Sequence, residues 1–365
     1  MAERKFGKKN HVSLNPLDAN ICLLGTPKVG KTTIMKEIAE KLVGEDGYLF
    51  LEMFREGGAK YIENIVYEDV PDFETFVEIV DTLCEERTTT YKDLKVVFID
   101  TIDNALQLCE QESIRLWNKE NPDKRTQNLN AAWGGFMRGQ DKAMDLFQEQ
   151  LFKLRSVGIA FSVIGHIKVT NITDPVSLET YQQLTSDVSQ RYFNQLKKNI
   201  DLIGIAYVDR TIVAEGKGQN KTHKVTDETR KIKFRDSSYT VDAGGRMSAI
   251  VDEIPFDADE FIKAMKDALE AEVKKGGVAI VDREKEDKKN EAVRMKEIAE
   301  AEEKNKAKKE VDAVIEKIMD WIKDNKSDMT KVKPVLSKCK EFGASKPTEL
   351  EKLEDALAVL ELIEA

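Results

Sequence analysis

Residues 25–32 read Gly25-Thr26-Pro27-Lys28-Val29-Gly30-Lys31-Thr32, and the reading of this stretch decides the fold. It fits the pattern GxxxxGK[ST] at every fixed position. Such a turn aims successive backbone N–H groups at an anion, and glycine is needed where a Cβ would block it. An apolar run, NICLL at 20–24, precedes the turn, and Ile34, Ile38 and Leu42 follow at helical spacing over 32–42. Strand, loop and helix in that order set the positive end of a helix dipole against phosphate. In this context Lys31 offers a point charge to the β- and γ-phosphates of a nucleotide. The Thr32 hydroxyl offers a ligand to Mg2+.

Working outward, YLFLE (48–52), KVVFID (95–100) and GIAFSVIGH (158–166) are apolar enough to be strands covered on both faces. Residues 73–86, 102–118 and 139–156 have the spacing of helices, and 119–138 is polar and irregular. This alternation predicts an α/β fold with a mostly parallel sheet. From about residue 200 the texture changes. DLIGIAYVD (201–209), RTIVAEG (210–216) and RKIKFRD (230–236) predict antiparallel strands added to one sheet edge, followed by a helix over 256–275.

Several polar residues fall where these strands end. Asp100 closes KVVFID, where an acid can hold Mg2+ through water; the alternative is a cap on the next helix. Asp103 is a weaker candidate for the same work, and helix N-terminal charge explains it equally well. Glu52 and Glu56 follow the second strand, and Glu56, ahead of Gly57-Gly58, is favoured to orient or deprotonate an attacking water. His166 ends the fourth strand, at the edge where open α/β sheets bind ligands. A polar group there can sense the γ-phosphate.

The series GTPKVGKTT, YLFLEMFREGG, KVVFIDTID, VIGHIK, then RKIKFRD and GGRM, resembles the phage-encoded RecA/Rad51-like P-loop ATPases of the single-strand annealing type. The resemblance spans about residues 18–265. It implies a RecA-like P-loop NTPase core that uses ATP and Mg2+, binds single-stranded DNA and supports recombination, annealing or replication. It carries over Lys31, Thr32 and Thr33 as nucleotide ligands, Asp100 as the metal-side acid, Glu56 as the catalytic acid and His166 as the sensor. Pro27-Lys28 departs from the usual residues of the loop. The resemblance also implies self-association as a ring or filament, with Lys233, Arg235 or Arg246 reaching a neighbour's γ-phosphate, and a single-strand binding protein or other replication protein as a possible partner.

Two segments combine cations with aromatic faces, as single-strand binding requires. Residues 119–138 carry Lys119, Lys124, Arg125, Arg138, Trp133 and Phe136; 167–198 carry Lys168, Arg191, Lys197, Lys198, Tyr181, Tyr192 and Phe193. The bland alternative is polar loops and buried aromatics. For the chain as a whole, two other functions compete: an ATP-gated scaffold that does not hydrolyse and recruits a replication partner through its C-terminal helices, and a P-loop kinase or phosphotransferase. No arginine-dense lid favours the latter.

The 365 residues suggest about two domains, and a net charge of −10 excludes a uniformly basic coat but not a local basic groove. Cys22, Cys84, Cys109 and Cys339 lie far apart, which speaks for a reducing compartment rather than a disulfide framework. The basic start, MAERKFGKKN, lacks an apolar stretch behind it, and no run approaches a membrane span of about 18 residues. A cytoplasmic protein is expected, in the host cytoplasm if phage-encoded. Residues 1–17 are read as a basic tail, 18–276 as the ATPase core, 277–310 as a charged helical linker and 311–365 as a small helical module. Twenty of the thirty residues in 282–311 are charged with both signs mixed, as in a solvated helix or linker. Beyond it, Val311, Val314, Ile315, Ile318 and Ile322 form one apolar stripe, and Leu350, Leu353, Leu357 and Leu360 another. Thr348 and Glu351 have capping-box spacing at the start of the last helix.

Overall fold

The computed structural model describes residues 12–54, 56–174, 178–215, 222–235, 241–277, 279–325, 329–350 and 352–364. Residues 1–11 of the expected basic tail lie outside them, as do Gly216, Asp236 and Glu351. Two compact units divide the chain, Met1–Glu291 and Ala292–Ala365.

The first unit is built on a sheet. In chain order its elements are β1 (Ile21–Gly25), α1 (Lys31–Val43), β2 (Tyr48–Met53), β3 (Tyr67–Val70), α2 (Phe73–Glu85), β4 (Val96–Asp100) and α3 (Ile102–Glu120). They continue with α4 (Arg138–Ser156), β5 (Ala160–Thr173), β6 (Thr180–Ser186), α5 (Gln190–Leu196), β7 (Leu202–Glu215) and β8 (Thr222–Lys233). The short strands β9 (Gly244–Gly245) and β10 (Glu253–Pro255) and helix α6 (Ala258–Lys275) complete it. The sheet order is β10-β8-β7-β1-β5-β4-β2-β3, with β6 paired to β5 and β9 to β7. From β3 to β7 every pairing along this order is parallel. The α/β architecture with a mostly parallel sheet is therefore as expected.

The apolar strands read as two-sided because alternate residues feed opposite cores. Cys22 and Leu24 of β1, Leu51 and Met53 of β2, and Val97 and Ile99 of β4 join the cluster that packs under α2, α3 and α4. Leu23, Phe50 and Phe98 point the other way, into the cluster with α1 and α6. On that face the rings of Phe50 and Phe98 stack at 4.4 Å. Arg87, only 2% exposed, is held among carbonyls: its Nε donates to Val157 O and its Nη1 to Tyr91 O and Lys92 O.

Three elements differ from expectation. β3 carries no hydrophobic pattern, since Tyr67, Glu68 and Asp69 of this edge strand are all exposed. β5 does not stop at His166; it runs to Thr173 and returns through β6 as an antiparallel hairpin. Val169, Thr170, Ile172 and Thr173 give this extension strand propensity, although it leaves the core. The two segments expected over 201–215 form one strand, β7, over Leu202–Glu215, and β7 is parallel to β1, with Ile21 opposite Leu202 and Gly25 opposite Ala206. Antiparallel addition begins only at β8.

Residues 280–324 form one helix, α7 (Ile280–Asp324), with neither Gly nor Pro inside it. It passes without a break through position 310/311, and the division between the two units falls within it. In the second unit Val311, Val314, Ile315 and Ile318 pack with Val335 and Cys339 of α8 (Met329–Glu341) and with Ala356 and Val359 of α9 (Leu353–Glu364). Leu350 joins this cluster and Ile322, Leu353 and Leu360 border it, but Leu357 is 41% exposed. Residues Pro347–Glu349 make a 3-10 turn, so the last helix opens at Leu353 and not at Thr348. No helix among the described residues is long and apolar enough to cross a membrane.

Candidate functional site

β1 and β4 end on either side of β5, opposite its His166 and Ile164, and several residues singled out from the sequence gather there. Gly25 closes β1, where a Cβ would lie 2.8 Å from Ala206 O, so the neighbouring strand forbids a side chain. Gly30 caps α1 with φ 103°, and a Cβ there would meet the ring of Phe256 at 3.3 Å. Lys28 takes φ 64°, the left-handed region where glycine is at ease. This is the position at which the loop departs from the usual residues. Arg230 of β8 donates Nη1 to Val29 O at 3.2 Å and lies over the Phe256 ring. The spacing of the loop residues holds no hint of either Arg230 or Phe256, because both come from the far edge of the sheet.

Lys31, only 6% exposed, donates Nζ to Gly25 O at 3.2 Å and Thr26 O at 3.1 Å. Its ammonium therefore lies in the mouth of the loop. Burial lowers its pKa, while Asp100, Asp103 and Glu56 oppose that shift. Thr32 donates its hydroxyl to Asp100 Oδ2 at 2.6 Å, across from α1 to the tip of β4. Burial pushes the Asp100 carboxyl up to about 6; the Thr32 hydrogen bond and Lys31 pull it down, and Glu56 and Glu52 add to the rise. Thr33 is exposed on the first turn of α1. Paired like this, the Thr32 hydroxyl and Asp100 carboxylate have the oxygen chemistry that Mg2+ takes. Among the described residues no group of three or more His, Cys, Asp or Glu could hold a metal by itself. A cation here would share its ligation with phosphate oxygens.

The two glutamates have different occupations. Glu52 pairs in register with Asp100, is 6% exposed, and accepts the Ala59 N–H at 2.8 Å. Burial raises its pKa, with the Ala59 and Gly58 amides opposing. It fastens the loop that follows β2. Glu56 Oε2 accepts a hydrogen bond from Asn104 Nδ2 at 3.3 Å. His166 lies opposite Gly25 in the sheet. Asp103 Oδ2 accepts the His166 backbone N–H at 3.2 Å and lies 3.1 Å from its Nδ1. Asp103 thus fixes the imidazole, a role beyond helix-end charge. Asp103 and Asn104 share the first turn of α3, directly after the strand that carries Asp100.

Of the three basic residues considered for action in a neighbour, Arg246 lies at the start of β7, whereas Lys233 is level with the end of β1, since Ile205 pairs with both Lys233 and Leu24. Arg246 pairs with Asp201 and donates to Lys198 O, at the start of β7. Arg235 donates to Met247 O, and Lys233 lies opposite Ile205.

The two cation-rich segments are sorted by burial. Tyr192 and Phe193 are 4% and 1% exposed, so they are core and present no face to bases. Lys197 is paired with Asp242, Arg191 with Asp141, and Lys168 caps the carbonyls of Asp187 and Val188. Trp133 donates Nε1 to Ser113 and packs on Trp117, as a prop for its own loop. Exposed cations remain at Lys119, Lys124, Arg125, Arg138 and Lys198. Phe136 is 92% exposed. It belongs to five successive residues with positive φ: Trp133 (60°), Gly134 (84°), Gly135 (82°), Phe136 (52°) and Met137 (63°).

A strand, a glycine loop around a lysine ammonium, and a hydroxyl–carboxylate pair beside it define a P-loop nucleoside-triphosphate-binding domain. A family model described as an AAA domain matches residues 17–247, more than half of the chain, and the protein belongs to that family. It therefore carries an ATPase-type, nucleotide-binding domain. No curated protein matches the chain.

Proposed function

We propose that this protein is a RecA-like ATPase of phage type that binds single-stranded DNA, self-associates as a ring or filament, and supports annealing, recombination or replication. The observation that carries the ATPase part is the convergence of Lys31, Thr32, Asp100, Glu56 and His166 at the ends of neighbouring strands. In this reading the backbone N–H groups of residues 25–33, Pro27 excepted, and the Lys31 ammonium bind the phosphates, and Thr32 and Asp100 would hold Mg2+. The metal supplies charge neutralisation on the β- and γ-phosphates. Glu56 takes a proton from the attacking water as its oxygen bonds to the γ-phosphorus. The bond from that phosphorus to the bridging oxygen breaks, and ADP leaves with the electron pair. His166, its ring fixed by Asp103, faces the γ-phosphate side and heads the β5–β6 hairpin.

Lys119, Lys124, Arg125, Arg138 and the exposed Phe136 support the DNA reading, since cations track a backbone and an aromatic face stacks on bases. A single-strand binding protein or another replication protein fits as partner for such an activity. The test is ATP turnover with and without single-stranded DNA, together with DNA affinity across a salt series. Several-fold stimulation, with affinity falling steeply as salt rises, is expected. Unchanged turnover and no ATP-dependent DNA binding would overturn the DNA assignment.

A further inference from the structure

We infer that Asn104 is a positioning residue that sets the Glu56 carboxylate for its water, an inference that depends on the reading of Glu56 as the group that takes the proton. The main chain around Glu56 is fastened on both sides. The Glu56 N–H donates to Met53 O at 3.2 Å, and Glu52 takes the Ala59 N–H at 2.8 Å. The carboxylate of Glu56 is held differently, from across the site, by Asn104 Nδ2 at 3.3 Å from Oε2. The contact is partly buried and spans 48 residues of chain.

The choice of side chain follows from the charges around it. Lys31 faces Glu56 from α1, Asp100 from β4 and Glu52 from β2. Asp103 and His166 pair at the neighbouring position of α3 and β5. One ammonium thus stands among four carboxylates, and polyanionic phosphate is added when nucleotide binds. A cation at position 104 would form an ion pair with Glu56 and lower its basicity. A further carboxylate would compete with it for a proton. An amide donates one hydrogen bond, carries no charge and does not titrate. It occupies Oε2 and leaves Oε1 to accept from water. Because Asn104 is in the same helical turn as Asp103, one turn of α3 orients both the imidazole and the carboxylate.

The experiment uses the full chain and measures kcat, KM and their pH dependence for Asn104→Ala, Asn104→Asp and Glu56→Gln, with nucleotide binding and thermal melting alongside. Asn104→Ala is expected to lower kcat on the order of tenfold with nucleotide affinity unchanged, as expected for lost orientation. The near-isosteric Asn104→Asp sets two carboxyls side by side, which must share a proton. Its acid limb in kcat moves to higher pH, a shift that a merely structural residue would not produce. If Asn104→Ala fails to fold, the pH profile of Asn104→Asp decides. Wild-type kcat and pH profile in both variants, with Glu56→Gln inactive, would overturn the inference alone. Normal turnover in Glu56→Gln would overturn the reading of Glu56 and the inference with it.

Discussion

The loop end of the sheet and the second unit are made of contrasting material. At the loop end, Lys31, Glu52 and Asp100 are each 6% exposed, and every one of them has a close polar partner. From Ala292 onward the charges of α7 stand in water except the half-buried Glu302, and the apolar cluster of the second unit is a short stripe on α7, α8 and α9. Buried charge is costly unless paired, whereas solvated charge has little effect on stability. The first region therefore puts stability at risk for chemistry. The second derives its stability from a handful of aliphatic contacts.

Three substitutions sharpen that contrast. The largest effect is expected from Lys31→Ala, which removes the buried ammonium held by the loop carbonyls. Turnover should fall by roughly a hundredfold or more, as for loss of a preorganised charge-stabilising donor, and nucleotide binding measured by titration should weaken with it. Normal turnover would break the central assignment. Next, Ile318, fully buried in the apolar cluster of α7, α8 and α9, is the test of the second unit. Ile318→Ala should destabilise that unit by about 2–5 kcal/mol. Hydrogen exchange should show this loss in 311–364 while the exchange of the sheet and the ATP turnover stay as they were. Equal loss of protection in the sheet would contradict the division into two units.

The smallest expected effect has the opposite sign. Asp100 has its folded pKa raised from 3.8 to about 6, chiefly by burial. A raised carboxyl favours the folded state at low pH, and that contribution fades as pH rises from about 4 through about 6. Above that range the ionised, buried carboxylate weakens the protein by up to roughly 3 kcal/mol, at 1.36 kcal/mol per pH unit. Asp100→Asn should therefore raise the melting temperature at pH 8 without nucleotide, with little change at pH 4, while turnover is lost. A lower melting temperature at pH 8 would show that Asp100 is not under strain from burial.

The contrast also explains what could be read in the sequence. β1, β2 and β4 were legible because both their faces are buried, so that nothing but apolar residues fits. The loop was legible because the constraints on Gly25 and Gly30 are local in sequence. β3 was not, because an exposed four-residue edge has no face to mark it. The hairpin beyond His166 was hidden for a related reason: its pairing is supplied by β6, not by a core. Tyr192 and Phe193 looked like base platforms because composition cannot say which way a helix faces. Arg230, Phe256 and Asn104 lie far from the loop in sequence, and their contacts exist only once the sheet has formed. The division within α7 has no marker either, since helix propensity and mixed charge continue smoothly across it.

The run from Trp133 to Met137 has a consequence for how this protein could change. Side chains pay about 1–2 kcal/mol each in the left-handed region, and glycine does not. Glycine or asparagine at 136 and 137 would relieve that cost. A lineage or laboratory population selected for heat tolerance alone would therefore drift toward those residues and shed the exposed phenyl ring.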